Sequence, residues 1–310
     1  MNPIVIKLGG AAGVDTSAVL ADVAVLAGEG WPAVLVHGTS AAADALAARA
    51  GVPVRHITSP SGHVSRYTDP EMLELYVAAA AGQVNKGLVA DLQKLGCNAV
   101  GLSGVDGRLL VARRKDAVRA VENGRQRIIR DDYTGQLESA NGDLLRLLLA
   151  SGYTPVIAPL ALGHDGERLN VDGDRAAALI AGSLDASALI LLSNVPGLLA
   201  NFPDESSLVR RLAPDQLGRA EELAQGRMKK KILAAREALE GGVSAVIIAD
   251  SRRPNPIRAA LAGEGTVIGA SGPDISVDWY IGTLGIGTLG IGTLGDGRSG
   301  DGGTGANTHD

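Results

Sequence analysis

One cysteine in 310 residues, Cys97, has no partner for an intrachain disulfide. That excludes a stapled scaffold and suits the reducing cytosol. Aromatic residues are 3% of the chain, too few for a platform that stacks bases. Charge of one sign is also scarce. The formal net charge is −5, which argues against a general binder of polyanions. No apolar run approaches the roughly 20 residues that a bilayer span needs. The apolar start Pro3–Leu8 is short, contains Lys7 and runs into Gly9-Gly10, unlike a secretory leader. A cytoplasmic location is therefore the expectation. What the chain does have is a 45% apolar fraction. That is enough for one large domain or two lobes around a shared core, and too much for a mostly disordered chain.

The C-terminal stretch differs from the rest. Residues 271–310 hold 12 glycines, five aspartates and one arginine, so they carry −4 and leave −1 for residues 1–270. Ile-Gly-Thr-Leu-Gly occurs three times in tandem over 281–295. A five-residue period matches none of the usual repeat folds, and frequent glycine makes ordering costly in backbone entropy. The stretch reads as a low-complexity, disordered extension, with a functional linker as the alternative.

Residues 1–270 alternate between two patterns. Short apolar runs occur at Val5–Leu8, Ala33–His37, Ala99–Leu102, Thr154–Ala158, Leu189–Leu192 and Ala245–Ile248. Between them lie helix-like stretches at Thr16–Ala27, Ser40–Ala50, Pro70–Lys94, Gly142–Ala150, Asp174–Gly182 and Arg227–Leu239. Continuous apolar runs suit strands covered on both faces. The alternation predicts a three-layer α/β/α sandwich with a mainly parallel central sheet. Arg108–Thr134 breaks the pattern and reads as strands and turns, a hairpin over one end of the sheet.

Five motifs carry chemistry. Ile6-Lys7-Leu8-Gly9-Gly10 ends the first run with a cation and two glycines, which fits a phosphate site or a plain turn. It lacks the Walker spacing. Val36-His37-Gly38-Thr39-Ser40 ends the second run and opens a helix, where ligands of open α/β sheets sit. Ser40 equally suits an N-cap. Asn170-Val171-Asp172-Gly173-Asp174 places carboxylates at a helix mouth, where they suit a metal, the orientation of lysines, or capping. Leu192-Ser193-Asn194-Val195-Pro196-Gly197-Leu198 runs a strand into a Pro-Gly turn. Gly226-Arg227-Met228-Lys229-Lys230-Lys231 is a basic run, either a solvated face or a lysine aimed at a phosphate.

In this order and spacing the motifs resemble the amino acid kinase family, near its acetylglutamate kinase branch, over about residues 3–268. The match continues from Gly82-Gln83-Val84-Asn85-Lys86 through Val100-Gly101-Leu102-Ser103-Gly104-Val105-Asp106-Gly107. The resemblance implies an acyl-substrate and dimerisation lobe (1–170) and a nucleotide lobe (171–270). It also implies ATP with Mg²⁺, and a homodimer through Pro70–Lys94. By position, Lys7, Gly9 and Gly10 would hold the ATP phosphates, and Gly38 would offer its amide to the transferring phosphoryl group. Thr39 and Ser40 would line the acceptor side. Arg66 would grip the acceptor's free carboxylate, and Asn170 its acyl part. Asp174 would position the catalytic Lys7 and Lys231. Ser193, Asn194, Gly197 and Leu198 would lie near the nucleotide. A carboxylate acceptor needs no general base, so catalysis reduces to positioning and charge stabilisation. No metal-ligating set of the protein's own is expected.

The branch is suggested by three features. His37-Gly38-Thr39-Ser40 ends in serine, like the loop of kinases acting on aminoadipate attached to the small acidic carrier protein LysW. Arg108–Arg130 holds Arg108, Arg113, Arg114, Lys115, Arg119, Arg125, Arg127 and Arg130 against Asp116 and Glu122, which suits docking of an acidic partner or a solvated hairpin. The strings around this segment and around Gln225–Lys231 resemble the same carrier-linked branch. The implied reaction is ATP-dependent phosphorylation of the side-chain carboxylate of carrier-bound aminoadipate. Free acetylglutamate, carrier-bound glutamate and a non-catalytic nucleotide sensor remain the alternatives.

Overall fold

Six near-continuous apolar runs become six mutually parallel strands of one sheet. In chain order the strands are β1 (Ile4–Leu8), β2 (Ala33–His37), β3 (His56–Thr58), β4 (Val64–Arg66), β5 (Ala99–Gly104), β6 (Leu110–Arg114), β7 (Val118–Glu122), β8 (Arg125–Ile129), β9 (Gly135–Ala140), β10 (Thr154–Leu162), β11 (Arg168–Asn170), β12 (Ala188–Ser193), β13 (Arg211–Leu212), β14 (Ala245–Asp250) and β15 (Thr266–Gly269). The helices are α1 (Thr16–Gly28), α2 (Ser40–Ala50), α3 (Pro70–Val77), α4 (Asn85–Lys94), α5 (Gly142–Ala150), α6 (Gly173–Ser183), α7 (Leu217–Leu223), α8 (Met228–Glu240) and α9 (Pro256–Leu261). A π-helical segment, Ala78–Val84, joins α3 to α4. This computed structural model describes residues 1–11, 16–59, 64–122 and 125–269, without the side chains of 121, 122, 125 and 126. The stretch 271–310, read above as disordered, lies outside the described residues.

The sheet runs β13-β15-β14-β12-β1-β2-β10-β6-β9, with β5 and β11 also paired to β10. β1 is central, parallel to β2 on one side and β12 on the other, so Leu8 lies in register between His37 and Leu192. The carboxyl ends of β1, β2, β12 and β14 therefore open on one edge. β14 and β15 are antiparallel. The hairpin expected across Arg108–Thr134 is divided. β6 joins the main sheet through β10 and β9, and only β7 and β8 form a separate hairpin. The lobe boundary expected at residue 170 falls between β11 and α6, inside the unit Met1–Ile275.

Alternation along β1 decides the layers. Val5 packs into the core shared with α6 and α8, while Ile4, Ile6 and Leu8 pack into the core shared with α1 and α9. Helices α6 and α8 bring small residues together, Ala176, Ala177 and Ala181 with Ala234, Ala235 and Ala238. At their far ends a Cβ on Gly182 would lie 3.3 Å from the Gly241 carbonyl oxygen. Arg175 locks the two helices by donating from Nε and Nη2 to the Glu237 carboxylate at 2.6–2.9 Å. No described helix is long and apolar enough to cross a membrane.

Candidate active site

The loops after β1 and β2 meet backbone to backbone. Gly38 N donates to Leu8 O at 2.8 Å, and Ala41 N to Gly10 O at 2.9 Å. A Cβ on Gly10 would lie 2.3 Å from Gly38 C and Thr39 N, and one on Gly38 would lie 2.2 Å from Gly10 N. Only residues without a Cβ permit this approach. Closing the loops consumes the Gly38 amide, which corrects the expectation that it faces the phosphoryl group. The next amides, of Thr39 and Ser40, open α2, where N–H groups have no intrahelical acceptor.

Lys7 shares a face of β1 with Val5 and points beneath α6. Its Nζ lies 2.8 Å from Asp174 Oδ1. Lys231 Nζ, from the first turn of α8, donates to the same carboxylate at 3.1 and 3.4 Å. The three residues are 8%, 7% and 6% exposed, so the cluster is buried. Burial pushes the Asp174 carboxyl up, but the Lys231 and Lys7 ammoniums outweigh it and hold the group well below the usual carboxylate range. Lys231 is pulled down by burial, against the raising field of Asp174, with Lys7 adding to the fall. The sequence brings the groups together through helix starts. Asp172 caps α6, its Oδ1 accepting from Asp174 N at 3.0 Å and Arg175 N at 3.2 Å. Its Oδ2 lies 3.3 Å from Lys230 Nζ. Gly173 packs beside the lysine, its Cβ position 3.4 Å from Lys7 Cε, an ordinary contact distance. One carboxylate thus holds two ammoniums beside a glycine cradle, a surface suited to a polyphosphate.

Across the cradle, Arg66 at the end of β4 lies 2.5 Å from Asp44 of α2 and donates to Ser40 O at 3.5 Å. Thr68, fully buried, links the two predicted acceptor residues. It donates to Arg66 O at 3.4 Å and accepts from Asn170 Nδ2 at 3.0 Å. Thr68 N donates to Asp132 Oδ1, Tyr133 N to Thr68 O and Asn170 N to Tyr133 O. Segment 131–134 therefore ties β4 to β11. Sequence reasoning missed Thr68, although it sits two residues after Arg66 in Ser65-Arg66-Tyr67-Thr68-Asp69.

His37 is 1% exposed. Its Nδ1 contacts Gly38 O at 3.3 Å and its Nε2 contacts Asn85 Nδ2 at 3.2 Å. Burial lowers its pKa to about 4, so it is a neutral strut. Asn85 also donates to Val156 O at 2.8 Å. Cys97 is buried, its thiol pushed up by burial and bonded to Thr154, as a packing residue should be.

On the other flank, Ser193 ends β12 and its carbonyl accepts from Ser251 N and Oγ at 2.7 and 2.9 Å. Asn194 is exposed beside it. Gly197 and Leu198 belong to the frame. A Cβ on Gly197 would meet Thr266 Oγ1 at 2.5 Å. Leu198 is 1% exposed, and its amide donates to Thr266 Oγ1 at 2.9 Å.

The four basic residues assigned to docking separate. Arg114 is spent inside the protein: it donates to the carbonyls of Asp132 and Arg130 and stacks 3.7 Å from the Tyr133 ring centroid. A planar guanidinium suits that brace. Arg113 is exposed and donates to Glu138 at 3.0 Å. Lys115 is exposed at the carboxyl end of β6, whereas Arg108 precedes that strand. Five residues of strand, about 16 Å, separate the two. The Arg125 side chain lies outside the described residues.

Known proteins resemble this chain over most of its length. Residues 2–250 match the profile described as amino acid kinase family. The chain is 53% identical over 267 residues to a Thermus thermophilus protein named "[LysW]-aminoadipate kinase", covering 86% of this chain and 99% of the relative. It is 51% identical over 268 residues to a Deinococcus radiodurans protein of the same name, covering 86% and 92%. Among solved structures, carbamate kinase from Giardia lamblia bound to AMP-PNP superposes with a TM-score of 0.59 at 18% identity, covering 86% of this chain and 98% of that one. At that identity the likeness concerns the fold alone.

Proposed function

We propose, for a chain that belongs to the amino acid kinase family, the transfer of the ATP γ-phosphoryl group to the side-chain carboxylate of aminoadipate carried on the protein LysW. The observation that carries this reading is the buried Lys7–Asp174–Lys231 bridge beside the glycine cradle. The names of the relatives above 50% identity supply the acceptor.

Residues 1–170 would hold the acceptor and residues 171–270 the nucleotide. Lys7, Gly9 and Gly10 face the β- and γ-phosphates. The amides of Thr39 and Ser40 take the place first given to Gly38. Lys231 lies toward the leaving oxygen, and Asp174 keeps both ammoniums aimed. Ser193 and Asn194 border the nucleotide. Arg66 exchanges Asp44 for the acceptor's free carboxylate, and Asn170, held by Thr68, meets its acyl part. The paired lysines suit phosphate oxygens, and Mg²⁺ carried on the nucleotide would spread the phosphate charge. The acceptor carboxylate is already a nucleophile at neutral pH, so the protein's work is positioning and charge stabilisation. Docking of the acidic carrier falls to the exposed Arg113 and Lys115 at one end of β6 and to Arg108 before its other end, about 16 Å away and within the span of one protein–protein interface. The helical stretch from Pro70 to Lys94 would form the face of a homodimer in the cytoplasm.

Hydroxylamine trapping of the acyl phosphate tests the reading. ATP and Mg²⁺ are incubated with carrier-bound aminoadipate, carrier-bound glutamate or free acetylglutamate. Hydroxamate with carrier-bound aminoadipate is expected. Signal with free acetylglutamate alone overturns the acceptor assignment, and silence with all three overturns the kinase reading.

A further inference from the structure

Lys7 and His37 project from opposite faces of the sheet. In the register of β1 and β2, Lys7 pairs with Val36 and Leu8 with His37. Val36 packs on the α6 side and Leu8 on the α1 side, so the alternation along β2 sends His37 away from the lysine. On that far side Asn85, the first residue of α4, reaches the ring. It is buried although Gln83 and Lys86 beside it are exposed. The π-helical segment Ala78–Val84 ends directly before it, and such segments frequently sit at functional sites. Asn85 Nδ2 donates to Val156 O at 2.8 Å and to Leu102 O at 3.3 Å, and it lies 3.2 Å from His37 Nε2. Two carbonyls demand the nitrogen of the amide there, not its oxygen. Oδ1 lies against Gly101, where a Cβ would come within 2.2 Å of it. His37 Nε2 therefore accepts, which leaves the proton of the neutral ring on Nδ1. That N–H meets Gly38 O at 3.3 Å. The other tautomer would set N–H against N–H and lone pair against lone pair.

We propose that Asn85 and His37 are positioning residues for the backbone amide of Thr39, which they aim at the transferring phosphoryl group. This rests on the carboxylate-kinase reading above. A trans peptide is planar, so the Gly38 carbonyl and the Thr39 N–H point to opposite sides. Drawing the carbonyl toward the His37 ring turns the Thr39 N–H toward the face that carries Lys7. Thr39 N also stands at the glycine cradle, 2.3 Å from where a Gly10 Cβ would lie. Glycine at position 38 leaves that peptide wide conformational freedom, and the ring N–H removes it. Charge on the phosphoryl oxygens is met best by a donor fixed beforehand. Asn85 thus sets the tautomer, the ring sets the peptide, and the peptide presents the amide. Neither side chain touches nucleotide or acceptor, and neither gives up a proton.

The test begins with the unsubstituted full chain, ¹⁵N-labelled. Long-range ¹H–¹⁵N spectra, with the His37 signals assigned by their loss in His37→Asn, are expected to show Nδ1–H. An Nε2–H ring overturns the proposal. Asn85→Leu removes the donor to Nε2, so the Nδ1–H share is expected to fall, and an unmoved tautomer overturns the part given to Asn85. Steady-state rates follow, with ATP and acceptor varied separately. His37→Phe keeps a ring without a donor and is expected to lower kcat about tenfold, with both KM values within about twofold. His37→Asn places an amide N–H near the Nδ1 position and is expected to restore kcat to within about threefold of the unsubstituted chain. Equal losses in the two variants overturn the assignment. So does a rise in both KM values with a lowered Tm in His37→Phe, which marks a packing role. Hydroxylamine trapping with the unsubstituted chain separates the two readings. If it makes no acyl phosphate, the kinase reading falls; if it does and the variants match it, only the positioning role falls.

Discussion

Asp174 holds two ammoniums on one carboxylate in a place where any one of the three charges alone would be costly to bury. Its contribution is geometric as well as electrostatic, because it aims Lys7 from β1 and Lys231 from α8 at one point. Asp174→Asn should lower kcat on the order of 10²-fold, the scale of losing preorganised charge stabilisation. It should also move the pH profile. Burial and Lys7 lower the Lys231 pKa while Asp174 raises it. Without the carboxylate, Lys231 sheds its proton at lower pH, so the alkaline limb of kcat shifts downward. A pH–rate profile with an unmoved alkaline limb contradicts this. Lys7, Asp174 and Lys231 were legible in the sequence because each stands at a fixed step from a strand end or a helix start. The direction of the Gly38 amide was not, since nothing in His-Gly-Thr-Ser says which N–H the neighbouring loop will use. Arg114 was read as surface charge because the three partners of its guanidinium lie 16 to 19 residues further on.

The two loops after β1 and β2 act as one element. Their contact is made of glycine backbone, so shape and not side-chain chemistry fixes the cradle. Gly10→Ala should force the Gly38–Thr39 peptide away, lowering kcat/KM for ATP at least tenfold and lowering the Tm as well, because the clash is with backbone. Parallel nucleotide titrations and thermal melts check both halves, and an unchanged kcat/KM speaks against the cradle. Long apolar strands and amphipathic helices were plain in the sequence, since burial on both faces leaves no polar alternation to misread. Short strands were not. β11, β13 and β15 have two to four residues each, too few to show a period. β6 and β9 carry charged side chains at the sheet edge, so their pairing with β10 and each other escaped a reading based on hydrophobic runs.

The described residues end one sheet at β15, and the matched relatives span 86% of the chain. A chain ending at Gly269 should therefore keep its kcat and Tm, while its formal charge moves from −5 to −1. Loss of activity in that shortened protein would give the glycine-rich stretch a task. The parallel order of the sheet was legible from strand–helix alternation, but not the position of β1 at its centre. That position also sets a schedule for biosynthesis. β1 leaves the ribosome long before β12, which completes one of its edges and whose first paired residue is Ala188. At about 5–20 residues per second, translation needs roughly 10–35 s to supply it. Throughout that interval the nascent chain presents an apolar strand edge still awaiting its neighbour, and Lys7 emerges well before the carboxylate that will hold it.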